Sequence, residues 1–186
     1  MGGTPFGKFS GRIKRYAKRF PKINFLEINF IPITKTKVPN IQATQQDWYM
    51  GLKKEKDASL NCIKSGMSLG YYSEAIGSLS YAVRDSAQHR VQIVRYTRGV
   101  LWMAHKKLKR NGKISIIVAS EKKTGSNPYP TNGLKNILDS IVQTPFEKSF
   151  KVERIGKKEF SSLDYYEAEA AIEKKVPLFR VILTKL

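Results

Sequence analysis

The chain opens on a glycine-rich turn, Gly2-Gly3-Thr4-Pro5-Phe6-Gly7-Lys8-Phe9-Ser10, that runs straight into a helical pattern. Glycines let the backbone approach a bound group closely, and a helix N-terminus presents N–H groups that no intrahelical carbonyl satisfies. Together they can cradle a polar ligand, although a bare turn before a helix has the same composition. A second chemistry is cationic. Lys8, Arg12, Lys14, Arg15, Lys18, Arg19 and Lys22 crowd the N-terminal stretch with no Asp or Glu among them, and Lys106, Lys107, Lys109, Arg110 and Lys113 form another cluster. Interleaved Tyr16, Phe20, Trp48, Tyr49, Tyr71 and Tyr72 offer faces on which unpaired bases stack, so the combination points to RNA contact.

Composition agrees. The 186 residues carry a formal charge of +19, and 41% of them are apolar with 11% aromatic, enough for a packed core beneath a basic surface. One cysteine, Cys62, excludes an internal disulfide framework and a Cys-rich zinc site; it falls in an apolar strand pattern and is expected to be a buried, inert thiol. His89 and His105 lie sixteen residues apart on one predicted helix, too far to share an ion, so no metal site is expected. Asp164, Glu167 and Glu169 read as a solvated acidic patch, and Walker-type loops and Ser-His-Asp order are missing. No apolar run nears the roughly 18 residues of a membrane span, and no long basic amphipathic segment carries a bulky apolar face. The N-terminus has no signal-peptide hydrophobic block, and its glycine turn argues for fold rather than transit peptide. A soluble intracellular protein, cytoplasmic or organellar, without a membrane partner is the expectation.

The elements that would position these residues alternate. Phe9, Ile13, Tyr16, Ala17 and Phe20 mark one helix face that ends near Pro21. Strands are predicted over Ile23–Ile33, Asn40–Thr44, Ala58–Ile63, Ile114–Ala119, Phe150–Ile155 and Leu178–Leu183. A long helix from about Ser86 to Arg110 is marked by Val91, Val94, Leu101 and Leu108 and stopped by Asn111-Gly112, and a short one spans Asn132–Gln143. Alternating strands and helices imply a mostly parallel α/β sheet with helices on both faces, and the last two strands, lacking a crossover helix between them, are expected to be antiparallel.

In this order the chain resembles the class I S-adenosylmethionine-dependent methyltransferases, and within them the FtsJ-like RNA ribose 2′-O-methyltransferases. The carriers are the Gly3-to-Ser10 turn, Asn29 with Pro32, Gln46-Asp47-Trp48, Ser65-Gly66-Met67, and Leu108 to Gly112 before an apolar strand. The resemblance covers almost the whole chain and implies one Rossmann-like domain over residues 1–186. Its usual first strand is missing ahead of the glycine turn: the chain is a fragment, another polypeptide supplies the strand, or the sheet has lost it. The resemblance implies S-adenosylmethionine as cofactor, held by Gly3, Thr4, Pro5, Gly7, Phe9, Asn29, Asp47 and Trp48. Asp47 would accept a hydrogen bond from the adenine amino group, Trp48 would pack on the ring, and Asn29 would stand where an acidic residue usually grips the ribose.

The family's catalytic Lys-Asp-Lys-Glu tetrad is not kept. Its aspartate position falls on Gly66, its second lysine on Ile117, its glutamate near Pro177 or Leu178, and its first lysine upstream of the loop, so no catalytic residue is assigned. Two functions follow from the resemblance: an S-adenosylmethionine-dependent enzyme acting on RNA, or a catalytically inactive relative serving as a structural RNA-binding subunit of a ribosome-like ribonucleoprotein.

Overall fold

The computed structural model describes residues 17–29, 38–66, 69–70, 87–119, 133–142, 144–156, 159–160 and 177–186. They fall into two compact units that meet in sequence at Glu55 and Lys56.

In the first unit, residues 17–19 are the described end of the N-terminal helix, which stops at Phe20 because Pro21 cannot continue it. Asn40 gathers the carbonyls this ending exposes: its Nδ2 lies 3.2 Å from the Ala17 oxygen, 3.3 Å from Phe20 and 2.8 Å from Ile23. Two strands follow, β1 (Phe25–Asn29) and β2 (Ile41–Gln45), paired in parallel from Phe25↔Ile41 to Asn29↔Gln45. The predicted first strand continued to Ile33, and residues 30–33 lie outside the described residues. After β2 comes a short helix, α1 (Trp48–Lys53), which the sequence reading left unassigned. Gly51 lets α1 lie close to β1, since a Cβ there would stand 2.7 Å from the Ile28 side chain.

The second unit is a four-stranded sheet in the order β3 (Leu60–Gly66), β4 (Leu108–Ala119), β6 (Leu178–Lys185), β5 (Phe150–Gly156). β3 and β4 run parallel, while β6 is antiparallel to both of its neighbours; its pairing with β5 is the antiparallel one expected of the last two strands. Ile114, Ile116, Ile117 and Val118 of β4 are all fully buried, which is why that segment reads as an apolar run rather than an alternating one. The long helix α2 (Ala87–Lys107) turns Ile93, Thr97, Val100, Leu101 and Ala104 inward, about one face of its turn. This corrects the predicted face: Val91 is 67% exposed, because its position lies on the opposite side of the helix from Ile93. Asn111, at φ 63°, takes a left-handed backbone inside β4, where the register against β3 shifts between Leu108 and Lys113.

The short helix α3 (Gly133–Asp139) packs on α2 and β4 through Ile137. A polar clamp accompanies it: Arg90 Nε donates to Asn136 Oδ1 at 3.2 Å, Arg90 also pairs with Asp139, and the buried Asn136 Nδ2 donates to the Gly70 carbonyl at 2.9 Å. Among the described residues no helix is long and apolar enough to cross a membrane.

Candidate functional site

Because β1 and β2 are parallel, their carboxyl ends share one edge, and Asn29 and Gln45 are the last register pair there. Two residues beyond Gln45 the chain turns into α1. In open α/β sheets ligands bind outside the carboxyl ends of strands, so this edge is the place to look for one. Asp47 stands at that turn with extended backbone (φ −68°, ψ 159°), and its Oδ1 accepts from the Met50 amide at 3.1 Å. It is thus the N-cap of α1, a role that the adenine reading did not anticipate. The clue was local: an aspartate immediately before a short segment with buried Leu52. Trp48, half-buried, is the first residue of the helix. Side-chain placement of Asn29 lies outside the described residues, as do Gly3, Thr4, Pro5, Gly7 and Phe9. A depression of about 400 Å³ in the same unit is lined by Leu26, Gln42, Thr44, Gly51, Lys54 and Glu55, and neither Asp47 nor Trp48 is among its lining residues.

The cationic residues divide. Lys8, Arg12, Lys14 and Arg15 lie outside the described residues, whereas Lys18, Arg19 and Lys22 are exposed. The Arg19 guanidinium lies 5.6 Å from the centroid of the Phe20 ring. In the other unit Lys106, Lys109 and Arg110 are exposed, and so is Lys113. Lys107 is not: it is 8% exposed and its Nζ donates to Asp57 Oδ1 at 2.6 Å. Its predicted role as a phosphate ligand is therefore corrected, because its place on α2 turns it inward, and its ammonium instead holds the Asp57 carboxyl below the usual carboxylate range by hydrogen bond and charge. Sequence reasoning missed Lys185, whose Nζ donates to the carbonyls of His105 (2.8 Å) and Leu108 (2.9 Å) at the end of α2. Only the strand register that seats β6 beside β4 reveals it.

Two more expectations meet the structure. Cys62 is exposed rather than buried, because β3 is an edge strand of the described four-stranded sheet. Two of the carried-over tetrad positions are neighbours, since Gly66 and Ile117 are register partners, while Leu178 pairs with Ala119, two residues further along β4. Ile117 and Leu178 are both buried core residues, so neither supplies an ionisable group. Among the described residues no cluster of His, Cys, Asp and Glu is arranged to hold a metal ion.

No protein-family model matches the sequence, and no curated protein matches it. Solved structures do. A provisionally assigned S-adenosylmethionine-dependent methyltransferase from Listeria monocytogenes is 13% identical, with a TM-score of 0.53, covering 92% of this chain and 84% of its own. Geranyl diphosphate C-methyltransferase from Streptomyces coelicolor, solved with Mg2+, geranyl diphosphate and S-adenosyl-L-homocysteine, is 5% identical with a TM-score of 0.51, covering 94% of this chain and 68% of its own. A provisionally assigned DNA modification methylase from Thermus thermophilus gives 8% identity and a TM-score of 0.47 over 88% of this chain, which spans only about half (54%) of that one. The first two likenesses show the fold: the Rossmann-like α/β architecture of class I methyltransferases.

Proposed function

We propose that this chain binds S-adenosylmethionine at the carboxyl edge of β1 and β2 and acts on RNA, as the likeness of its motifs to FtsJ-like methyltransferases implies. The observation that carries the cofactor assignment is the meeting of Asn29, Gln45 and Asp47 at one edge of a parallel pair, although Asn29 and Asp47 are distant in sequence. A carboxylate offers about four lone-pair sites, so Asp47 can cap α1 with one oxygen while accepting from the adenine amino group. Asn29 would hydrogen-bond the ribose and Trp48 would pack against the purine. When bound, the cofactor supplies an electrophilic methyl group on sulfur.

The buried Ile117 and Leu178 favour a second reading, an RNA-binding subunit that transfers no methyl group to ribose, since an apolar core side chain cannot move a hydroxyl proton. Calorimetric titration with S-adenosylmethionine tests the cofactor assignment. Binding is expected for the wild type, and Asp47→Asn should weaken it about tenfold while leaving stability nearly unchanged. In that variant the amide oxygen keeps the cap and the amide N–H₂ faces the adenine amino group donor to donor. No heat at millimolar cofactor with folded protein would remove the assignment. Transfer of labelled methyl to single-stranded RNA then separates the two readings.

A further inference from the structure

We infer that the outer face of α2 is a docking surface for single-stranded RNA, with Trp102 as its base-stacking platform. This inference rests on the RNA reading above and names where the strand lies.

The exposed stripe of α2 runs through Val91, Arg95, Arg98, Trp102 and Lys106, the spacing that places residues in one line along a helix. The helix carries no Asp or Glu in its 21 residues, so no carboxylate of its own offsets these cations. Arg98 is already engaged: its guanidinium donates to the carbonyls of Ser140 and Asp139 at 3.4 and 3.2 Å, closing the end of α3. Arg95 and Lys106 remain on the stripe as exposed cations, and Lys109, Arg110 and Lys113 extend the positive surface past the end of the helix.

Trp102 sits between them. It is 37% exposed, so part of a large aromatic side chain faces solvent on this stripe. Its ring is braced by Phe146 at 5.5 Å and His105 at 6.3 Å between centroids, so the exposed aromatic is held rather than free to rotate. The Lys106 ammonium lies 5.1 Å from the indole centroid. That ammonium sits over the ring face, so a base that stacks on the indole displaces it, and the released charge meets the nucleotide's phosphate.

The C-terminal end of a helix ordinarily repels a phosphate, because its last carbonyls point outward with partial negative charge. Here the Lys185 ammonium covers two of them, those of His105 and Leu108. The helix end therefore adds no bare carbonyl charge, and the exposed Asp57 carboxylate beside it is paired with Lys107. A duplex hides its base faces, so the exposed indole favours a single strand.

The test uses the full chain and a fluorescently labelled single-stranded 20-nucleotide RNA, with anisotropy as readout. Arg95→Glu with Lys106→Glu should bind about tenfold more weakly or worse, and lower the slope of log affinity against log salt by about 1.4, roughly 0.7 per lost phosphate contact. Trp102→Leu should cost about tenfold. In a Trp48→Phe background, where Trp102 is the tryptophan that remains of two, indole emission should fall on adding RNA. Circular dichroism shows that each variant is folded. Wild-type RNA binding that survives both variants unchanged would overturn this surface while leaving the RNA reading standing. A wild type that binds no RNA at low salt would overturn both, and a duplex competing as well as the single strand would overturn the stacking role.

Discussion

Lys106 and Lys107 are neighbours in sequence, yet one is exposed and the other is buried against Asp57. A helix turns about 100° per residue, so adjacent side chains leave it in different directions, and composition alone treats the two alike. His105 shows the same dependence on place. It lies among Trp102, Phe146, Phe150 and the Lys185 ammonium, and burial first, then that ammonium, pushes its imidazole below the usual 6.5. The unfolded chain therefore takes up this proton before the folded one. Stability tied to His105 is present above about pH 6.5 and is lost as the pH falls through the lower folded value. Thermal unfolding followed from about pH 7.5 to about pH 5 should show a falling midpoint, and His105→Phe should flatten it. An equal slope in the variant would assign the dependence to another group. Asp57, held below its ordinary 3.8, contributes only in a more acidic window and does not confuse the measurement.

Among the described elements, α1 is one that the sequence did not disclose. Six residues with a single buried leucine are too few to display a helical period, and the informative residue was the cap, Asp47, which precedes them. Longer elements were legible: the predicted Ser86–Arg110 helix is observed as Ala87–Lys107, and the apolar Ile114–Ala119 run lies within β4. The contact that seats α1 on β1 gives a test at this scale. Gly51→Ala would place a methyl 2.7 Å from Ile28, and such overpacking typically costs about 1–3 kcal/mol. Chemical denaturation should show that loss, and Ile28→Ala in the same chain should recover part of it, since the two positions are coupled by contact. Simple additivity of the two changes would mean that α1 rests on β1 differently.

For the whole chain, a charge of +19 repels itself, so screening should stabilise the fold even as it weakens RNA binding. Raising salt from about 20 to about 300 mM is expected to raise the unfolding midpoint, and a fall would show that attractive pairs such as Lys107–Asp57 outweigh the repulsion. Charge, the order of strands and helices, and the antiparallel final pair were determined by the sequence itself, because each is a sum or a local period along the chain. Tertiary structure alone decided that Asn29 and Gln45 end at one edge, that Lys107 turns inward while Lys106 does not, that Cys62 is exposed, and that Lys185 caps α2 from the far end of the sequence. These are matters of register and of which helix face meets the sheet. They are set by hydrogen bonds and burial between residues as much as eighty positions apart, which no local pattern encodes.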